Sequence, residues 1–192
     1  MIKKLTLIIG FIICLSSCGK DYVYRIEGEL SNLEDQTVYA VFEKDNYKVV
    51  DTVACTKPGQ FQIDQNEAGF HCVTIFFADK EHWVTAYLEP GETVKITGDA
   101  NSPLLLQVKG GRTNDKLTAF KKKIAPLLTE LTNLSNSLNS KDLNDTIEET
   151  DIAARLANVN MQLSEEAIRY VKENPNEEAS VVLIQSFFSD PD

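Results

Sequence analysis

The chain has 192 residues, 43% of them hydrophobic and 25% charged, enough to enclose a core in one domain or in a domain with a helical appendage. Asp and Glu number 29 against 19 Lys and Arg, and a formal charge of −10 excludes a nucleic-acid-binding role. Aromatic and β-branched residues run through the first hundred positions, which excludes disorder throughout.

The first element is an address. Lys3 and Lys4 precede an apolar stretch, Leu5 to Leu15, too short to span a bilayer at the roughly 20 residues a spanning helix needs. Charge, then apolar, then small residues is the order of a secretory signal. Its end, Leu15-Ser16-Ser17-Cys18, resembles the lipobox of bacterial lipoproteins. The resemblance implies a signal peptide over residues 1–17 and a Cys18 that becomes the first residue and carries two ester-linked chains and one amide-linked chain. Such an anchor attaches a protein to the membrane permanently. Gly19 in place of Asp favours the outer membrane, and with only Asp21 acidic nearby a periplasm-facing position is expected. Losing Lys3 and Lys4 would take the formal charge from −10 to −12, so the lipid and not a basic patch would hold the membrane.

After a short tether over 18–21, residues 22–109 alternate with period two. Tyr22, Tyr24, Ile26, Gly28 and Leu30 share one face of a first strand. Further strands are expected at Thr37–Glu43, Tyr47–Cys55, Phe61–Asp64, His71–Ala78, Trp83–Glu89, Thr93–Gly98 and Leu104–Val108, with turns such as Lys57-Pro58-Gly59 and Pro90-Gly91 between them. Val73 to Phe77 is apolar on both faces and is expected to be central and doubly covered. The fold class is mainly β with an α appendage: an antiparallel β-sandwich or partly open barrel of about eight strands followed by a helical hairpin.

Gly110-Gly111 marks the change to helix, with Asn114 or Asp115 as cap. Leu117, Phe120, Ile124, Leu127, Leu131, Leu134 and Leu138 form an a/d seam, and Pro126 predicts a kink near 122–126. A second stripe, Ile152, Leu156, Val159, Leu163, Ala167 and Tyr170 or Val171, is expected to pack on the first within the chain rather than across a dimer. Ser140 to Asp145 supplies the turn. A third apolar helix follows Asn174-Pro175-Asn176, and the region 110–192 reads as the start of a longer inter-domain segment.

Of four cysteines, Cys14 leaves with the signal and Cys18 takes lipid. Cys55 and Cys72 remain. In meander order the strand at 60–64 separates them by ~9.6 Å sideways, beyond the roughly 7 Å a disulfide allows, so no bridge is expected. No Cys-x-x-Cys occurs, so the chain holds no thioredoxin-type redox centre.

Tyr24-x-Ile26-x-Gly28-x-Leu30, Val50-Asp51-Thr52 before Gly59-x-Phe61, Tyr87-Leu88-Glu89-Pro90-Gly91-Glu92-Thr93-Val94, and Val108-Lys109-Gly110-Gly111 with Asn114-Asp115 carry a resemblance. Over roughly residues 20–125 the chain resembles the N-terminal domain of unknown function of Bacteroidetes-type lipoproteins, which precedes a thioredoxin-like thiol:disulfide oxidoreductase domain. No position here matches that catalytic domain. The resemblance therefore implies location and association with envelope redox proteins, and no catalytic residue is carried over. Asp51-Thr52-Val53 and Asp145-Thr146-Ile147 also resemble the short Asp-Thr-apolar signal for O-glycosylation of exported Bacteroidetes proteins, with Thr146, in a polar turn, the better acceptor.

The remaining constellations favour plain readings. His71 and Cys72 are adjacent on a strand and face opposite ways, so with His82 they make no metal site, and neither metal nor cofactor is expected. Glu89 and Glu92 flank a turn and Asp79 to His82 reads as a solvated loop. Gly110-Gly111-Arg112 lacks the Lys and Ser/Thr of a phosphate loop. Trp83 and Tyr87 share one strand face and are expected in the core; exposed, they would form an aromatic platform for a glycan or peptide. The leading expectation is a lipid-anchored, non-catalytic accessory module. A thiol:disulfide oxidoreductase or peroxidase, of which this is the front part or which uses a single Cys, is the enzymatic alternative.

Overall fold

The computed structural model describes residues 23–34, 37–45, 47–77, 82–139 and 146–188. Residues 1–17, expected to be a signal peptide, fall outside them, as do Cys18, Tyr22, residues 78–81 and the expected turn at 140–145. Eight strands form two four-stranded sheets: β1 (Tyr24–Ser31), β2 (Thr37–Lys44), β3 (Tyr47–Ala54), β4 (Gln60–Gln65), β5 (Cys72–Phe76), β6 (Trp83–Tyr87), β7 (Thr93–Asp99) and β8 (Gln107–Lys109). The helices are α1 (Arg112–Lys123), α2 (Ala125–Asn139), α3 (Thr146–Glu173) and α4 (Glu178–Phe188). The architecture is a two-sheet sandwich, mainly β, with a helical C-terminal part.

One sheet runs β4-β1-β7-β8 and the other β3-β2-β5-β6. This departs from a simple meander. The Lys57-Pro58-Gly59 turn carries the chain from β3 into the opposite sheet, where β4 pairs with β1. β1 also pairs with β7, and these two run parallel, the one parallel pair among the described strands. Leu104 and Leu105, expected in a strand, instead belong to a 3₁₀ turn at Pro103–Leu105. Pro103 fixes its own φ and has no N–H to give a ladder, so it starts a turn and delays the strand to Gln107.

Alternation builds the core. In β1, Tyr24, Ile26, Gly28 and Leu30 face inward, and in β2 Val38, Ala40 and Phe42 do the same from the other sheet. Phe61 lies across Gly28, its partner in register; a Cβ on Gly28 would fall 2.2 Å from the Phe61 ring. The glycine is thus a seat for an aromatic ring. β5 is central within its sheet, with Val73 and Ile75 fully buried. Its other face carries Thr74 and Phe76, only half-buried, so the double cover expected from the apolar run is incomplete.

A second core belongs to the helices. Phe120, Ile124, Leu128, Leu134, Ile152, Val159, Leu163, Ala167 and Leu183 are all buried together. The two helical stripes therefore pack on one another within the chain, as expected. The seam is split, however. α1 ends at Lys123, Ile124 takes φ −96° and ψ 9°, and α2 begins at Ala125. Pro126 cannot donate to the ladder, which turns the expected kink into a break.

Candidate functional site

The side of the sandwich where β6 and β8 are the edge strands is closed by α1. Two polar residues one helical turn apart do this. The Asn114 side chain accepts from Tyr87 N–H at 2.9 Å and donates to Tyr87 O at 2.7 Å and Gly110 O at 2.6 Å. Thr118 Oγ1 accepts from Val108 N–H at 3.1 Å and donates to Val108 O at 2.5 Å. Tyr87 belongs to one sheet and Val108 to the other, so α1 clamps both edges, each side chain standing in for a missing strand. Both are buried, and both have their hydrogen bonds met. Neither Asn114 nor Asp115 is the N-cap, which is Gly111. The first helical N–H, of Arg112, donates to Glu89 Oε1 at 2.7 Å, and Asp115 accepts from Gly110 N–H at 3.2 Å. Glu89, read as a solvated turn residue, is the helix's acceptor.

Beside this clamp lies a cavity of about 340 Å³ between the outer side of β6, the 3₁₀ turn and helices α1, α2 and α4. Trp83 and Tyr87 both line it. Trp83 is 53% exposed, so the core position expected for it is not what the fold gives. β6 turns Val84 and Ala86 inward and leaves Trp83, Thr85 and Tyr87 on the outer face, with Trp83 packed against Phe76 at 6.1 Å between ring centroids. Tyr87 is half-buried, and burial pushes its hydroxyl up to about 12, so it stays protonated. Among the described residues, Lys121 is the one cation in the lining, and no carboxylate lines the cavity. Burial holds the Lys121 ammonium below its ordinary pKa.

The other sequence candidates disperse. Cys55 and Cys72 do not form a disulfide with each other. The strand between them is β2, not the 60–64 strand: Cys72 pairs with Glu43 at one end, and Cys55 follows Ala54, which pairs with Thr37 at the other. Roughly 20 Å along the strand separates them in addition to the sideways gap. Burial, with Glu43 adding to it, pushes the Cys72 thiol up to about 11. His71 Nε2 lies 2.8 Å from Asp45 Oδ1, while His82 starts the approach to β6. Thr52 is exposed on β3; α3 begins at Thr146, whose side chain lies outside the described residues.

Sequence reasoning missed Lys121, Asn114 in its clamping role and Thr118. Lys121 sits in a Lys121-Lys122-Lys123 run that reads as a solvated helix end. Only the packing of α1, which sets Lys121 beside Leu105, Leu106 and Gln107, shows that one of the three is desolvated.

The fold is thus a two-sheet sandwich closed on one side by a helix, with an apolar cavity beside the closure. Residues 24–117 match the model of a family described as a domain of unknown function, DUF4369. No curated protein and no solved structure matches the chain.

Proposed function

We propose that the chain is a lipid-anchored lipoprotein of the cell envelope whose body is a non-catalytic interaction or accessory module. The observation that carries this reading is Leu15-Ser16-Ser17-Cys18 placed directly after a charged and then apolar leader. Diacylglyceryl-Cys18 holds the chain to the membrane, the outer membrane facing the periplasm being its place, and envelope thiol-redox proteins are its partners by resemblance. The thiols support the non-catalytic part. Cys72 keeps its proton at neutral pH, and Cys55 is too distant to resolve it, whereas a thiol catalyst needs a thiolate.

The test is metabolic labelling with an alkynyl fatty acid, followed by mass spectrometry of the N-terminal peptide. Label on Cys18 and its loss in Cys18→Ser, with release of the protein from the membrane fraction, is the expected result. Retention of label or of membrane attachment in Cys18→Ser overturns the anchor. Trp83, exposed at the edge of an apolar cavity, favours a second reading in which the body binds a ligand of its own.

A further inference from the structure

The cavity beside β6 has a chemistry that narrows what it takes. Its walls are apolar, with Leu117 and Phe120 from α1, Ile124 from the break after it, Leu128 from α2, and Leu183 and Phe187 from α4. Apart from the Trp83 indole N–H and the Tyr87 hydroxyl, the uncharged polar side chains in the lining bond within the protein. Asn114 and Thr118 clamp the sheet edges, Thr85 bonds Thr74 at 3.1 Å, and Ser186 donates to Val182 O at 2.9 Å. A ligand thus finds two separate polar groups, the Trp83 indole N–H and the Tyr87 hydroxyl, rather than the dense hydrogen-bond array that a sugar or a peptide backbone needs. It finds an apolar slot with one charged group, Lys121, which has no carboxylate partner among the described residues.

A cation of this kind costs free energy in the unliganded protein, because burial weakens its hydration and no carboxylate among the described residues offsets the loss. An anionic group at the end of an aliphatic chain repays it. The volume decides how much chain: at about 340 Å³ the cavity is at the small end of the roughly 300–1,000 Å³ of small-molecule sites, which suits one chain and not a two-chain lipid. We propose that the cavity binds a single-chain aliphatic carboxylate, its tail between β6 and the helices, its carboxylate on Lys121, and the Trp83 indole at its mouth. The inference is independent of the lipid anchor, because the slot is built from residues 83–187 alone.

The chain holds one Trp, so Trp83 reports directly. The test protein is the full chain with Cys18→Ser, titrated with dodecanoate and, in parallel, with dodecanol. The expected result is a saturable Trp83 fluorescence shift with dodecanoate bound about tenfold more tightly than dodecanol, the worth of one charge-assisted contact. Lys121→Met weakens dodecanoate about tenfold and leaves dodecanol unchanged, and Lys121→Arg restores dodecanoate. The proposal is overturned if dodecanoate gives no saturable shift, if Lys121→Met binds it as wild type does, or if the alcohol binds equally well. Should the cavity instead seat a helix of a second copy, dodecanoate has no effect and the chain sediments as a dimer, which also overturns it. If Lys121→Met fails to fold, the carboxylate-against-alcohol comparison and Lys121→Arg still decide.

Discussion

At the scale of single residues, buried polar groups carry more of this fold than their number suggests. Asn114 is 2% exposed and satisfies three backbone groups at once. Asn114→Ala strands Tyr87 N–H, Tyr87 O and Gly110 O beneath a helix, and the expected loss is about 2–4 kcal/mol by urea unfolding. Asn114→Asp is expected to lose at least as much, since a carboxylate can take the Tyr87 N–H but repels the two carbonyls. Cys72 offers a pH-dependent test. With its pKa raised from 9.0 to about 11, the thiolate fraction at pH 8 is about a hundredfold below that of an unperturbed thiol. Alkylation of native Cys72 should therefore be slow at pH 8 and climb about tenfold per pH unit, without a plateau below about pH 11. The unfolded chain releases this proton first as pH rises past 9, so the same shift contributes stability below pH 9 that is lost between 9 and 11.

At the scale of elements, the period of the hydrophobic pattern made most strands and both helical stripes legible before any coordinates. What it left out has physical causes. Trp83-Val84-Thr85-Ala86-Tyr87 is apolar at both parities, and the larger residues suggest the core face, yet the small Val84 and Ala86 face the other sheet. Size misleads there because the helices offer the aromatic face a second apolar environment. The crossing at Pro58-Gly59 was invisible for another reason: a tight turn has the same residues whether the next strand stays in the sheet or leaves it. Of the site, Trp83 and Tyr87 were readable as a pair, whereas Lys121 depends on what packs over it. The helical core is expected to behave as one unit. Leu163, 2% exposed in the middle of α3, packs among residues of α1, α2 and α4, and Leu163→Ala should cost about 2–5 kcal/mol by thermal or urea unfolding.

At the scale of the whole molecule, two cores meet through α1, and electrostatics tie the far end of the chain to it. Glu177, just ahead of α4, takes Lys116 at 3.0 Å and Arg112 at 3.4 Å, both on α1, and accepts from the Tyr170 hydroxyl at 2.8 Å. Lys116, with Tyr170 and Arg112, holds the Glu177 carboxyl below the usual range. Thr113 adds a bond to Glu178 at 2.7 Å. The β-sandwich and the helices are thus coupled, and urea unfolding followed by Trp83 fluorescence and by helical circular dichroism should give coincident transitions. Two separated transitions would show that the coupling through α1 is weaker than these contacts suggest.

The clamp bears on where the domain can be cut. The family match stops at residue 117, between Asn114 and Thr118, so a fragment drawn to that boundary keeps the grip on β6 and drops the one on β8. Its Val108 N–H and C=O would face solvent as a template for a neighbouring molecule's strand. A fragment ending at 117 should accordingly aggregate on concentration, and one ending at 109, with both edges bare, should do so faster; light scattering against the full chain measures both.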